Sequence, residues 1–290
     1  MAIERSFLVT GAYTGIGRAA VAVGVARGAH VYASVRKSAD ADDLSRAFGA
    51  KVTPLVFDVV DEAGVAAAAT AVAAAQKGRR LTGVVNNAGA AVPGPLLHMS
   101  AAELRQQMEV NLIGVHNVTR AFAPLLGAEG TQSLGDGPPG RIVMISSVAG
   151  RRSLPFLAAY AASKFALEGY AEGLRRELMP FRVDVVVIGP GAVKTAIWDK
   201  GLSLDRARYA DSVYAPVLDV FTAEVGKQAA AGLRAEVVGA LIWHALSAPA
   251  PKPRYAILRN ALSGWMLPNL LPTRTLDRAI ASRFGLAPRR

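Results

Sequence analysis

The feature of this chain that most constrains its fold is an alternation, over the first two-thirds, of short apolar runs with longer helical patterns. Runs rich in valine and isoleucine predict strands at residues 6–10, 30–35, 52–57, 81–86, 141–146 and 183–188. Helical periodicity predicts helices at 15–27, 63–76, 100–126 and 157–178. Continuous apolar strands that alternate with helices are typical of a parallel sheet covered on both faces. We therefore predict an α/β fold built on a doubly wound parallel sheet.

No linker interrupts this series, and the glycine- and proline-rich stretch at 127–140 is typical of a surface loop. After residue 190 the pattern changes. Residues 196–232 are irregular and mixed, and a helix at 235–246 and a last strand at 254–258 follow them. We predict a single domain over residues 1–290, with a substrate lid at 196–232 and a helical C-terminal extension at 261–290.

Composition excludes several classes of protein. Hydrophobic residues make up 52% of the chain and charged residues 19%, which is too apolar for a disordered chain. Cysteine is absent, so disulfides and thiolate chemistry are excluded. The first residues lack the pattern of a signal peptide, and the apolar runs at 65–75 and 237–248 are too short to span a bilayer. The expected location is the cytoplasm.

The formal net charge of +11 indicates a surface that attracts phosphates, nucleic acid or acidic headgroups. The basic residues are scattered, and no block of lysine and arginine is interleaved with aromatic residues, so we expect no nucleic-acid partner. The four histidines, His30, His98, His116 and His244, lack the spacing of metal ligands. We therefore predict no metal site.

A glycine-rich turn joins the first predicted strand to the first predicted helix. Its glycines are spaced G-x-x-x-G-x-G, and we predict that the turn binds a cofactor through Gly11, Tyr13, Thr14, Gly15, Ile16 and Gly17. Glycine lets the backbone approach a pyrophosphate, whose charge then lies at the N-terminus of the helix. The alternative is an ordinary strand-to-helix turn. Its position in the first βα unit favours a dinucleotide site in a Rossmann-type sheet.

The second predicted strand ends in Arg36 and Lys37 rather than in a carboxylate. NAD-preferring folds of this type place a carboxylate there, where it binds the ribose 2′-hydroxyl. A guanidinium instead suits the additional 2′-phosphate of NADP in both charge and shape. The alternative is a solvated charge pair at a strand end. We predict NADP(H) as the cofactor rather than NAD(H).

Four polar residues are candidates for catalysis. Tyr160 and Lys164 stand at i and i+4 in a predicted helix and so share one face. Ser147 ends the fifth predicted strand, and Asn111 lies in the helix that opens at a Ser100–Glu103 capping box. Parallel sheets bind ligands at the carboxyl ends of their strands, which is where Ser147 is expected.

These residue types suit hydride transfer to a carbonyl carbon, which leaves an alkoxide that needs a proton. A free tyrosine, with an ordinary pKa near 10, is a poor base at neutral pH. The ammonium of Lys164 and a positive nicotinamide ring would stabilise the phenolate of Tyr160. The hydroxyl of Ser147 would hold the substrate oxygen where charge develops. Each residue alone has an ordinary structural explanation, and the prediction rests on their combination.

Over about residues 5–200 the chain resembles the classical short-chain dehydrogenases/reductases. The matching motifs are Thr10-Gly11-x-x-x-Gly15-Ile16-Gly17, Asp58, Asn86-Asn87-Ala88-Gly89, Asn111, Ser147, Tyr160-x-x-x-Lys164 and Pro190-Gly191 with Thr195. The resemblance implies that Tyr160 is the acid–base residue, that Ser147 positions the substrate oxygen, and that Asn111 supports a water-linked proton relay. It also implies that Lys164 binds the nicotinamide ribose.

The resemblance extends the set of cofactor-binding residues. It assigns the adenine to Asp58, the ribose region on the adenosine side to Asn87, and the carboxamide to Val193 and Thr195. The full set that it implies, beyond the glycine turn and the basic pair, is Asp58, Val59, Asn87, Ala88, Gly89, Tyr160, Lys164, Pro190, Gly191, Val193 and Thr195. Members of this family commonly form homodimers or homotetramers through the helices that carry Asn111 and Tyr160.

The segments at 31–36 and 190–195, with the extension at 252–255, look most like the branch that contains retinol and hydroxysteroid dehydrogenases. This resemblance implies a bulky apolar alcohol or ketone as substrate. Alternatives are a 3-oxoacyl-thioester reductase or an epimerase of the same family, and a regulator that senses NADP(H) without turnover.

Two further alternatives concern the C-terminal third. The lid aromatics Trp198, Tyr209, Tyr214 and Phe221 either line the substrate site or serve ordinary packing. The tail, which includes Trp265, Met266, Leu267, Leu270 and Leu271, either touches a membrane surface or packs over the cleft or a neighbouring subunit. Pro268 and Pro272 interrupt any long amphipathic helix, which favours packing.

Overall fold

The structure is a computed structural model that describes residues 5–128, 138–195, 204–259 and 270–286. Its centre is a seven-stranded sheet in which every neighbouring pair of strands is parallel. The strands are β1 (Ser6–Val9), β2 (His30–Val35), β3 (Val52–Val56), β4 (Gly83–Asn86), β5 (Arg141–Ile145), β6 (Asp184–Pro190) and β7 (Arg254–Ile257). The order across the sheet is β3-β2-β1-β4-β5-β6-β7. The predicted α/β class and doubly wound parallel sheet are confirmed.

Helices flank the sheet and continue beyond it. They are α1 (Gly15–Ala26), α2 (Ser38–Phe48), α3 (Glu62–Gln76), α4 (Ala101–Met108), α5 (Gly114–Phe122), α6 (Ala158–Glu177), α7 (Ala215–Ala230), α8 (Ala235–Ser247) and α9 (Thr273–Phe284). Residues 215–230, which the sequence pattern placed in an irregular lid, form the regular helix α7. The apolar pattern that would predict this helix from the sequence is weak, because α7 buries only Val217, Leu218, Phe221 and Val225.

The two faces of the sheet are filled by alternate residues of the same strands. In β1, Phe7 and Val9 belong to a core that includes residues of α1 and α8. Leu8 points into a second core, which includes residues of α3, α5 and α6. This alternation follows from the period of two along a strand, and it explains why the strands are apolar throughout.

The strand order reverses between β1 and β4, because β2 follows β1 on one side and β4 pairs with it on the other. The loops that follow β1 and β4 therefore lead to helices on opposite faces of the sheet. Such a reversal leaves a crevice at the carboxyl edge of a parallel sheet, where this class of fold binds its ligands.

A third apolar cluster lies outside the sheet and includes Phe156, Tyr209, Phe221 and Phe284. Phe221 of α7 contacts both Phe156 and Phe284, with ring centroids 5.3 and 6.2 Å apart. Helix α9, from the C-terminal extension, thus packs on α7. The predicted Trp198 and the apolar tail residues 265–267 lie outside the described residues.

Within the described ranges, no helix combines the length and the apolar character that crossing a membrane requires.

Candidate active site

The turn between β1 and α1 has a backbone that side chains would obstruct. Gly11 and Gly15 adopt positive φ angles of 62° and 55°, which favour glycine. A Cβ atom on Gly17 would collide with the carbonyl oxygen of Gly11 and lie 2.7 Å from Nδ2 of Asn87. Thr14 precedes the helix without capping it through its side chain. The first turn of α1 therefore presents backbone N–H groups that suit a phosphate.

Asn87 and Thr10 fasten this turn to the end of β4. Nδ2 of Asn87 donates to the main-chain oxygens of Thr10 and Gly11 at 2.8 and 3.1 Å. Oγ1 of Thr10 accepts from the main-chain nitrogens of Asn87 and Ala88, each at 3.0 Å. The structure therefore places the predicted residues Asn87 and Ala88 against the glycine turn, with Gly89 exposed immediately after them.

The predicted adenosine-side residues lie at the ends of β2 and β3. Arg36 is 73% exposed, and its Nη1 lies 4.0 Å from Oδ2 of Asp58. Lys37 precedes α2 and is exposed, and Val59 is buried beside Asp58. The guanidinium of Arg36 is thus available at the same edge as the glycine turn, with only a long contact to a half-exposed carboxylate.

The segment after β6 closes the other side of the crevice. Pro190 ends β6, and the main-chain nitrogen of Gly191 donates to Ile257 at 2.9 Å. Val193 is buried and forms a bridge with Leu233. Thr195 lies against the glycine turn, because a Cβ on Gly15 would stand 2.8 Å from its Cγ2. Of the remaining turn residues, Tyr13 and Thr14 are exposed and Ile16 packs on the core.

The structure brings Ser147, Tyr160 and Lys164 together. The Ser147 hydroxyl accepts from the nitrogen of Ala149 at 3.1 Å and donates to the main-chain oxygen of Pro190 at 3.4 Å, and it lies close enough to Tyr160 to lower the pKa of that tyrosine. Lys164 follows Tyr160 by one turn of α6, and its Nζ lies 5.8 Å from the Tyr160 ring centre. Nζ donates to the oxygen of Ile145 at 2.9 Å.

Burial sets the protonation of the tyrosine and the lysine. It lowers the pKa of Lys164 to about 8, and the carboxylate of Glu168 opposes that lowering. It also raises the pKa of Tyr160, and the nearby Ser147 hydroxyl acts in the opposite direction. In the protein alone the burial effect is the larger, so the expected lowering of the Tyr160 pKa is not seen.

Asn111 lies in a π-helical turn, Glu109–Ile113, between α4 and α5 rather than in a continuous α-helix. Its side chain is buried, donates to Ser163 Oγ at 2.9 Å and to the oxygen of Ala90 at 3.0 Å, and accepts from the nitrogen of Ala90 at 2.8 Å. The Ser163 hydroxyl in turn donates to the main-chain oxygen of Tyr160 at 2.7 Å. Asn111 therefore connects the loop after β4 to the helix of Tyr160.

Three supporting residues escaped the sequence analysis. Gln107 is fully buried, donates to the oxygen of Ala90 at 2.8 Å and accepts from Val92 at 2.8 Å. Its position four residues before Asn111 puts both amides on one helix face, which is a usable signal. Ser163 stands three residues after Tyr160. Glu168 meets Arg254 across 86 positions of sequence, so no local pattern points to that contact.

The comparisons with known proteins agree with this geometry. The family model described as short chain dehydrogenase matches residues 5–203. The chain belongs to the short chain dehydrogenase family. The curated relatives of this chain include a reductase and an oxidoreductase. The chain is therefore an oxidoreductase of this family, with a Rossmann-like sheet. The resemblance inferred from the sequence motifs is confirmed.

Individual relatives match from about two thirds of the chain to all of it. An NADPH-dependent 3-dehydrocapnine reductase of Ornithobacterium rhinotracheale is 36% identical over 94% of this chain and 95% of its own length. Human retinol dehydrogenase 16 is 34% identical over 68% of this chain and 59% of its own length. A short chain dehydrogenase of Burkholderia cenocepacia, solved in complex with NADP, has a TM-score of 0.69 at 28% identity, and the match covers 100% of both chains.

In the part of the chain that the structure describes, no group of three or more histidine and carboxylate side chains could hold a metal ion.

Proposed function

We propose that this protein is an NADP(H)-dependent oxidoreductase that interconverts a bulky apolar alcohol and its ketone, with Tyr160 as the acid–base residue. The observation that carries the proposal is the position of Tyr160 one helical turn from the buried Lys164, whose Nζ lies 5.8 Å from the Tyr160 ring centre, with Ser147 close enough to lower the Tyr160 pKa. These groups lie at the carboxyl edge of the parallel sheet, beside the glycine turn. This edge of the sheet therefore offers both a site for a dinucleotide and a side chain that can donate a proton.

The glycine turn fits a dinucleotide. Glycine at positions 11, 15 and 17 lets the turn pack closely against Ala88, Thr195 and its own main chain, where a side chain would collide, and α1 begins there with its main-chain N–H groups free to bind a pyrophosphate. Arg36 suits a 2′-phosphate because it is exposed, cationic and two residues after Ser34, whose main-chain oxygen accepts from Ala12 of the turn at 2.9 Å. The relative that is named NADPH-dependent and the solved NADP complex support this assignment. When bound, the cofactor would supply or accept the hydride.

The side chains of this protein would handle the oxygen and the proton. Ser147 would hold the substrate oxygen by a hydrogen bond, next to the Tyr160 hydroxyl. Tyr160 would donate its proton during reduction and remove one during oxidation. Lys164, held by Ile145, would stabilise the phenolate by its charge. A positive nicotinamide would add to that effect and offset the burial that raises the Tyr160 pKa.

Asn111 would support a water-linked proton relay to the site. Its side-chain amide is already engaged by Ala90 and Ser163. The π-helical turn changes the main-chain hydrogen bonding around it. We therefore assign the contact with the relay to main-chain groups of this turn, which the buried side chain holds in place.

The proposal of an apolar substrate rests on the C-terminal third. Phe156 follows the strand that carries Ser147 and packs with Tyr214 and Phe221, at centroid distances of 5.7 and 5.3 Å. This buried aromatic cluster therefore includes a residue of the segment between Ser147 and Tyr160. The similarity to a retinol dehydrogenase supports a substrate of the same apolar kind.

We also propose that the protein is a homodimer or homotetramer through α4, α5 and α6. Leu104, Ile113 and Phe165 on or between these helices are 38, 42 and 46% exposed, and an apolar surface of this kind is typical of a subunit contact. Light scattering after gel filtration measures the mass. Charge substitutions at Ile113 and Phe165 should yield monomers, and an unchanged mass would place the contact elsewhere.

The experiment that tests the function measures NADPH binding by fluorescence and then turnover with steroid, retinoid and aryl ketones. Turnover of apolar ketones with NADPH supports the proposal. Turnover of acyl thioesters alone would indicate a 3-oxoacyl reductase. Binding of NADPH without any turnover, together with a protein captured only when NADPH is present, would indicate a regulator.

A further inference from the structure

We propose that Glu168, held by Arg254, is a positioning residue that keeps Lys164 charged and correctly placed in the active site. The effect of Glu168 on catalysis rests on the proposed function. The charge relationship between the three side chains does not, and it can be measured without substrate.

The contact between Glu168 and Arg254 is buried and bidentate. Glu168 is 8% exposed, and Nε of Arg254 donates to its two carboxylate oxygens at 3.2 and 2.9 Å. Nη2 of Arg254 donates to Oε1 at 3.0 Å, and Nη2 of Arg151 lies 3.4 Å from Oε2. Paired bonds between a guanidinium and a carboxylate fix the orientation of both groups. The carboxylate is therefore held in one place on α6.

This ion pair packs against the main chain that carries the catalytic residues. A Cβ on Gly150 would lie 3.0 Å from Cγ of Glu168 and 3.0 Å from the oxygen of Lys164. A Cβ on Gly189 would lie 3.3 Å from Cζ of Arg254 and 3.3 Å from the oxygen of Ser147. The Glu168–Arg254 ion pair thus fills the space behind the main chain of Ser147 and Lys164. It can come this close because residues 150 and 189 are glycines.

The charge of Glu168 matters because Lys164 is 5% exposed and has little water to stabilise its ammonium. Burial lowers the pKa of Lys164 to about 8, and Glu168 is the charged group that raises it. Among the described residues, the charged or titratable side chains that face Lys164 and Glu168 include Tyr160 on α6 and Arg151 and Arg254 from the neighbouring elements. The cleft beside the carboxylate is also lined by Glu172 and Arg175.

Opposite shifts are expected from the two halves of the ion pair. Glu168→Gln removes the negative charge and leaves Arg151 and Arg254 nearby, so the titration midpoint of Lys164 should fall by about one pH unit. Arg254→Gln removes a positive charge and leaves the carboxylate, so the midpoint should rise. A purely structural role would not produce shifts of opposite sign.

The control is Glu172→Gln, which removes a carboxylate one turn further along α6. Glu172 is half-exposed and pairs with Arg176 at 2.5 Å, away from Lys164. This variant should leave the Lys164 midpoint and the pH profile of turnover unchanged.

The experiment follows Lys164 by NMR in the full chain labelled with 13C at lysine Cε, with the signal assigned from Lys164→Met. In parallel, alcohol oxidation is measured against pH, where Glu168→Gln should move the rising limb to higher pH. The Tm of each variant reports folding. If Glu168→Gln does not fold, Arg254→Gln carries the test through the sign of its shift.

Three outcomes are distinguishable. A lowered midpoint in Glu168→Gln, with no change in Glu172→Gln, supports the inference even if no substrate is found. Equal midpoints in wild type and Glu168→Gln, or a midpoint that does not rise in Arg254→Gln, would overturn it. Absence of turnover with a shifted midpoint would count against the proposed function and leave the charge relationship standing.

Discussion

Nζ of Lys164 donates a hydrogen bond of 2.9 Å to the main-chain oxygen of Ile145, the last residue of β5. This bond ties α6 to the strand that delivers Ser147 two residues later. The position of the lysine therefore also sets the position of Tyr160 relative to Ser147, because Tyr160 stands one turn earlier on the same helix.

The first prediction concerns the charge of that lysine. Because burial lowers the pKa of Lys164 to about 8, its ammonium is lost above pH 8 rather than above its ordinary value of 10.5. We expect the affinity for NADPH to weaken as the pH rises through about 8. Lys164→Met should bind more weakly at pH 7 and lack this pH dependence, as measured by NADPH fluorescence. The same pH dependence in both proteins would contradict the assignment.

The second prediction concerns the glycine turn. Gly17→Ala puts a methyl group against the main chain of Gly11, which should cost about 1–3 kcal/mol of stability. It should also weaken NADPH binding, because the turn must move. Gly173→Ala is the matched control, since nothing lies within 4 Å of its Cβ position. That change should stabilise α6 by about 0.5–1 kcal/mol. Normal NADPH affinity in Gly17→Ala would refute this prediction.

The third prediction concerns the choice of cofactor. Hydrogen bonds to a charged group contribute about 1.5–3 kcal/mol, so Arg36→Ala should weaken NADPH binding by roughly 10- to 150-fold. NADH, which lacks the 2′-phosphate, should lose little. Arg46→Ala, which removes an exposed arginine of α2, is the control for net charge. Equal losses for both cofactors would show that Arg36 does not select between them.

The fourth prediction concerns an ion pair between Glu103 of α4 and Arg208 of the segment before α7. Nη1 and Nη2 of Arg208 bind the two carboxylate oxygens of Glu103 at 2.5 and 3.0 Å. The Arg208 and Ser100 hydrogen bonds lower the pKa of Glu103 to about 2. A carboxylate with a lowered pKa stabilises the folded state above pH 4.5, and this contribution is lost as the pH falls toward 2.

Glu103→Gln keeps the capping box with Ser100 and removes the charge. Its Tm should be a few degrees lower than that of the wild type at pH 6. The difference should shrink as the pH falls from 4.5 toward 2 in thermal denaturation experiments. A difference that does not change with pH would show that the charge of Glu103 is not its origin.

The sequence predicts the sheet well because its signals are local. Each strand is a short apolar run, and Gly11, Gly15 and Gly17 mark the turn between β1 and α1. The Ser100–Glu103 capping box is formed as predicted. Tyr160 and Lys164 share a helix face because their spacing of four residues requires it. These features need no knowledge of the tertiary structure.

The features that the sequence does not reveal depend on distant contacts. The polar helix α2 buries only Leu44, so it has a weak apolar pattern. The π-helical turn at Asn111 is a change in main-chain bonding that side-chain periodicity does not report. Glu168 and Arg254 meet only because β7 pairs with β6 beside α6. The burial that raises the Tyr160 pKa is likewise a tertiary effect.

The measurement that tests the central claim most directly compares wild type with Tyr160→Phe for NADPH binding and for reduction of an apolar ketone. The substitution removes only the hydroxyl whose pKa Ser147 lowers. Proton transfer by a positioned side chain contributes about 10²–10⁴-fold to a rate. We predict unchanged NADPH affinity and Tm, with turnover reduced by at least about a hundredfold. Turnover near the wild-type rate in Tyr160→Phe would contradict the account.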